Sequence, residues 1–256
     1  MVDAPQIVGK YELFVWAITP IAQAAVVASI ILRGVFRDFR IFALYLVLDI
    51  LLTGVWWWLG RSPHSAAYRE VWVATQPLLL VFQTLIVLDF YRLLYRAYPG
   101  IQAFARGLIL VAIGVALAVT FGTVQVDVHR IVWQFPDVQR LFVVKRVVSS
   151  LLGILMFTTM AFFPKARSAR NITLHGWLLT ALFIAAAGGF FGINFGYATQ
   201  WMGALFFMTV QLACFVIWAI ALRSPYVKAK PSAEDTARAD RWNKDLMLFA
   251  KWLARD

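Results

Sequence analysis

Asp49 stands alone as a carboxylate inside an apolar run, IFALYLVLDILLTGVWWWLG, that is long enough to cross a bilayer. A charge at that depth costs roughly 2.5 to 3.5 kcal/mol on insertion scales, so such a residue pairs with a base or serves a ligand, ion or proton. The natural counter-charges are Lys145 and Arg146, about one turn or more inside the run LFVVKRVVSSLLGILMF, from where a long side chain must reach inward to meet Asp49 near the midplane. Arg146 is the leading candidate partner of Asp49 and Lys145 the second. The outer headgroups compete for both, because long basic side chains snorkel.

Amides complete the polar inventory: Gln23, Gln76, Gln83, Gln200 and Gln211. Gln76 and Gln83 are seven residues apart and fall on one helical face, as Gln200 and Gln211 nearly do. These side chains can line an internal polar cavity around Asp49. Two readings follow: an ion pair that pins two helices, or a site for an anionic headgroup or solute.

Other chemistry lacks its residues. His64, His129 and His175 are dispersed without metal-ligand spacing. Phosphate-binding loops, a nucleophile turn and paired catalytic carboxylates are missing, so no catalytic residue is expected and no cofactor is indicated. Cys214 is the single cysteine, which excludes an intramolecular disulfide.

The elements that must position these groups are transmembrane helices. With 62% apolar residues and a mean hydropathy of +0.74 over 256 residues, the chain is too hydrophobic for a soluble domain. Seven stretches approach the roughly 20 residues needed to span a bilayer, at 11–32, 41–60, 71–94, 107–124, 141–163, 172–193 and 197–222. The fold class expected is all-α: a seven-transmembrane-helix bundle over 1–225, then a cytoplasmic tail over 226–256. No cleaved signal peptide is expected at the N-terminus.

Charge sets the expected orientation. Arg33, Arg37, Arg40, Arg92, Arg96, Arg106, Lys165, Arg167 and Arg170 occupy alternate connections, and Arg223, Lys228 and Lys230 follow the last span. On the opposite side Lys10, Arg61, Arg69, Arg130 and Arg140 are offset by Asp3, Glu12, Glu70, Asp127 and Asp137. Basic residues concentrate on the cytoplasmic side, so the N-terminus is expected outside and the C-terminus inside. The net charge of +11 has this distribution, which argues against nucleic acid as a partner.

Finer features follow from spacing. Trp56, Trp57 and Trp58 read as interface anchors, and Asp89 with Arg92 as a local helix-surface pair. Pro20 and Pro77 should kink their helices, and Pro136 suits a first helical turn. Gly188, Gly192 and Gly196 repeat every four residues and can admit another helix closely, within this chain or in a second subunit. In the tail, Trp242, Leu246, Phe249 and Leu253 share one face while Lys244, Lys251 and Arg255 take the other. That pattern reads as a helix on the cytoplasmic leaflet, with a groove-binding helix as the alternative.

Seven spans, an outside N-terminus, Asp49 and the segment Asp89-Phe90-Tyr91-Arg92 resemble G-protein-coupled receptors in layout, but the seventh span lacks their Asn-Pro pair. Microbial rhodopsins share the layout too, and here the seventh span has no lysine for a retinal Schiff base. Over nearly its whole length the chain resembles seven-helix membrane proteins of the kind encoded by acidobacteria. Tyr11-Glu12-Leu13-Phe14, Phe42-Ala43-Leu44-Tyr45, Tyr91-Arg92-Leu93-Leu94-Tyr95 and Arg146 carry that resemblance. It implies a bacterial inner-membrane protein and brings no activity with it. The expected role is therefore non-enzymatic: an accessory or scaffold subunit that binds protein, lipid or a small ligand, with other membrane subunits or a homo-oligomer as partners. A small-solute or proton-coupled transporter and a membrane sensor are the alternatives.

Overall fold

The computed structural model describes residues 4–59, 66–95, 136–162, 170–194 and 197–222, with isolated positions at 107, 114, 237, 241 and 244. The described residues form six long helices: α1 (Ala4–Leu32), α2 (Arg40–Trp58), α3 (Ala66–Leu94), α4 (Pro136–Phe162), α5 (Arg170–Asn194) and α6 (Tyr197–Ala221). Each is long and apolar enough to cross a membrane. Large apolar side chains such as Leu32, Trp58, Ile154, Phe191 and Ile220 are exposed, as lipid-facing residues of a multi-pass membrane protein are. Apart from those isolated positions, the expected span at 107–124 and the expected tail helix, with Trp242, Leu246, Phe249 and Leu253, lie outside the described residues.

The connection from α1 to α2 shows how sequence dictates a sharp turn. Gly34 adopts φ +69°, a left-handed conformation that costs glycine nothing. Its N–H donates to the Ile31 carbonyl at 3.0 Å and that of Val35 to the Ile30 carbonyl at 3.1 Å. This is a Schellman ending, completed by the buried Val35 side chain. Both proline-containing helices continue through Pro20 and Pro77, and α4 begins at Pro136, where a missing N–H removes no intrahelical bond.

Packing closes the helices into a ring in chain order: α1 on α2, α2 on α3, α3 on α4, α4 on α5, α5 on α6, and α6 back on α1. A smaller contact joins α3 to α5. The pairs Trp72–Phe142, Gln76–Lys145 and Tyr91–Thr159 occur in the same order along α3 and α4, so these helices run parallel. Tyr11–Thr209 and Ser29–Ala219 show the same for α1 and α6. The ring thus consists of two halves, α1–α3 and α4–α6, with matching sequences of direction.

The two ends of the ring differ. At the end where α1, α3 and α6 finish, the interior is solid: Val26, Ile30, Phe90, Leu152, Leu179 and Trp218 are at most 1% exposed. His175 sits there among aromatic rings, 4.9 Å from both Phe39 and Phe42 and 5.5 Å from Trp218 between centroids. Arg33 donates to the Ala219 and Ile220 carbonyls at 3.4 Å, and Ser29 to Ala219 at 2.9 Å, clamping the C-terminus of α6. Asp89 and Arg92 form the local ion pair expected from their spacing, at 2.9 Å. Around the opposite end, where α2 finishes and α3 begins, the ring encloses a cavity.

A glycine contact holds the second half together, through a residue next to the expected one. A methyl group built on Gly189 would lie 2.7 Å from the Phe207 Cβ and 2.8 Å from the Gly203 carbonyl oxygen, so α5 and α6 touch backbone to side chain there. Gly188 is exposed, and its nearest neighbour by the same construction is a Phe206 ring carbon at 3.7 Å. Gly192 is half-buried, and Gly196 lies outside the described residues. Successive helical residues differ by about 100° in direction, so a shift of one position moves the contact to another face.

Candidate functional site

All six helices contribute to the cavity, which has a volume of about 270 Å³. From α1 come Trp16, Thr19 and Pro20, and from α2 Tyr45, Asp49, Thr53 and Trp56. Helix α3 adds Trp72, Gln76, Leu79 and Gln83, and α4 adds Phe142 and Lys145. The remaining wall is mainly apolar, with Phe183 and Phe190 from α5, Phe207 and Met208 from α6, and Gln211 at the deeper level. Small-molecule sites have this composition: an apolar and aromatic wall with a few convergent polar groups.

Helical spacing explains the selection. Tyr45, Asp49 and Trp56 are four and seven residues apart; Trp72, Gln76, Leu79 and Gln83 follow at four, three and four. Residues so spaced stack on one face of a helix, and here that face is turned to the ring interior.

Among the described residues, Asp49 and Lys145 are the only acidic and basic side chains in the lining. Each is held by its own glutamine. Gln23 Nε2 donates to Asp49 Oδ2 at 2.6 Å, tying α1 to α2, and Gln23 itself is only 1% exposed. Lys145 Nζ donates to Gln76 Oε1 at 2.5 Å, tying α4 to α3. The ammonium also lies 4.9 Å from the Phe190 ring centroid and 5.6 Å from that of Trp72, close enough for attraction by the ring faces. No direct ion pair joins Asp49 to Lys145 among the described residues, and both remain half-buried, within reach of water.

Helix geometry settles which base faces the cavity. Lys145 and Arg146 are consecutive, so about 100° of rotation separates them and only Lys145 points inward. The expected Asp49–Arg146 pairing is therefore replaced by two separately bound charges, with Arg146 outside the cavity wall.

The other sequence candidates divide clearly. Gln83 lines the cavity and donates to Tyr45 Oη at 3.4 Å; Gln76 and Gln211 also line it, while Gln23 supports Asp49 from behind. The side chain of Gln200 lies outside the described residues. Trp57 and Trp58 are exposed, but Trp56 is 6% exposed and belongs to the wall, its indole N–H without an acceptor among the described residues. Sequence reasoning grouped it with its neighbours as an anchor, although its spacing of seven from Asp49 marks the inward face.

No group of three metal-ligating side chains comes together among the described residues. No protein-family model, curated protein or solved structure matches the chain.

Proposed function

We propose that this multi-pass membrane protein binds a small polar solute in the cavity between Asp49 and Lys145. The observation that carries this reading is the pair of opposite charges lining one water-reachable cavity from α2 and α4, each oriented by a glutamine and neither paired with the other. Intramembrane charges that served only to pin helices would be expected to pair and exclude water. Instead, aromatic and amide side chains from six helices surround a space large enough for a small organic molecule.

The accessory-subunit reading stands beside it: Gly189 packs α5 on α6 within the chain, whereas Gly188 of the expected glycine face is exposed. A non-enzymatic binding role is retained, with a small ligand beside a protein partner. The second reading, a carrier, is favoured by the matching directions of α1–α3 and α4–α6, since parallel repeats about an axis along the membrane normal occur in transporters. In that reading the structure is the state open toward one side, with the aromatic cluster around His175 closing the other.

Orientation and span number belong to the same proposal. Arg33, Arg37, Arg40, Arg92 and Arg170 gather at the solid end, which favours that end as cytoplasmic and the cavity end as external. Parallel α3 and α4 leave the end of α3 and the start of α4 at opposite ends of the ring, which supports a seventh crossing at 107–124. A bacterial inner membrane remains the proposed location.

Cysteine accessibility tests the reading. In a Cys214→Ala background, Thr53→Cys on the cavity wall should react with a membrane-impermeant thiosulfonate added to intact cells, and not when the reagent reaches only the cytoplasmic face. Reaction from neither face would overturn the water-reachable cavity on which the reading rests, and reaction only from the cytoplasmic face would overturn the orientation.

A further inference from the structure

The balance of charge in the cavity points to the class of solute, an inference that rests on the binding role just described. Among the described residues the lining contains one carboxylate and one ammonium, and the other lining side chains are uncharged. These two charges balance each other while the space is empty. A cation entering it would meet Asp49 but leave Lys145 repelled, and an anion would do the reverse. A buried charge without a counter-charge is strongly unfavourable.

A solute carrying both charges completes two ion pairs and leaves the cavity neutral. Its cationic end takes the Asp49 oxygens left free by the single bond from Gln23. Its acidic end takes the Lys145 protons left free by the single bond to Gln76. Trp16 and Trp56, from the same two helices as Gln23 and Asp49, also line the cavity with their ring centroids 6.5 Å apart, and aromatic faces attract an ammonium or methylated ammonium. We propose that the cavity between Asp49 and Lys145 recognises a small zwitterion, an amino acid or betaine, held by its two charged ends across the ring.

Cys214 supplies the readout. It is buried in α6 outside the cavity lining, so a thiol-reactive dye records unfolding of the detergent-solubilised protein on heating. The probes are matched in shape and differ in charge: L-phenylalanine, phenethylamine, 3-phenylpropionate and 3-phenylpropanol, each at millimolar concentration. Glycine betaine and the ω-amino acids from glycine to 6-aminohexanoate vary size and charge separation. The expected result is a rise of several degrees in unfolding temperature with at least one zwitterion, exceeding that from the cation, anion and alcohol. Asp49→Asn and Lys145→Gln should each abolish that rise, as should the double variant, which keeps the cavity neutral and guards against misfolding of either single one.

Protection by the cation, the anion or the alcohol equal to that by every zwitterion would overturn the zwitterion assignment and leave solute binding standing. Zwitterion protection that survives both single substitutions would overturn the assignment to this cavity. Failure of every probe to protect would count against both proposals.

Discussion

Asp49 and Lys145 face one cavity from α2 and α4 without touching, Asp49 bound to Gln23 at 2.6 Å and Lys145 to Gln76 at 2.5 Å. Two glutamines thus each bind one of a pair of opposite charges that share the cavity. The same bonds join α1 to α2 and α3 to α4, so the polar groups that define the site also fasten the ring.

That coupling is measurable. Asp49→Asn leaves Lys145 without a balancing charge, and Lys145→Gln does the reverse, so each should destabilise the protein. The double variant should lose less than the sum of the two, with a coupling of about 0.5 to 3 kcal/mol as found for residues sharing one network. Unfolding of the four proteins in detergent, followed through Cys214, gives the cycle; strict additivity would show that the charges do not sense each other.

The close approach of α5 and α6 predicts opposite outcomes at adjacent glycines. Gly189→Ala places a methyl group against Phe207 and the Gly203 carbonyl and should cost about 1 to 3 kcal/mol, as overpacking does. Gly188→Ala meets nothing closer than 3.7 Å and should be neutral or slightly stabilising, because alanine favours helix. Thermal unfolding of the two variants separates them; equal effects would contradict the packing described.

At the solid end, Arg33 should matter through the α6 carbonyls it caps. Arg33→Ala removes its bonds to Ala219 and Ile220 and a positive charge beside a helix C-terminus, an effect of about 1 to 2 kcal/mol. Hydrogen exchange at the last turn of α6 should rise more than at the cavity end, whereas a uniform change would indicate a role elsewhere.

Tyr91 tests the seam between α3 and α4. Its hydroxyl bonds Thr159 and donates to the Leu155 carbonyl at 3.1 Å, in a buried setting. Tyr91→Phe should lower stability by about 1 kcal/mol without altering solute binding, since Tyr91 lies outside the cavity lining. Loss of binding with unchanged stability would contradict that separation.

Much of this architecture is legible in residue spacing. The apolar runs locate six helices, and the three- and four-residue steps from Gln76 to Gln83 mark one cavity face correctly. Hydropathy has less to say about rotation around a helix axis. Lys145 and Arg146 are equivalent in composition and depth, and only the packing of α4 on α3 and α5 decides which one turns inward. Gly188 and Gly189 differ for the same reason: both permit a close approach, but the contact falls where α6 presents Phe207. Trp56 was readable in principle, because stepping by seven from Asp49 reaches it and passes over Trp57 and Trp58. The aromatic walls from Phe142, Phe190 and Phe207 carry no polar marker, so nothing in sequence distinguishes them from ordinary core residues.

The most direct test of the central claim is a high-resolution map of the purified protein in a lipid nanodisc with the best-protecting zwitterion. The account predicts non-protein density in the cavity, one end within hydrogen-bond distance of the Asp49 carboxylate and the other of the Lys145 ammonium, with Gln23 and Gln76 still bound to those residues. A direct Asp49–Lys145 ion pair with the cavity closed around it would contradict the account.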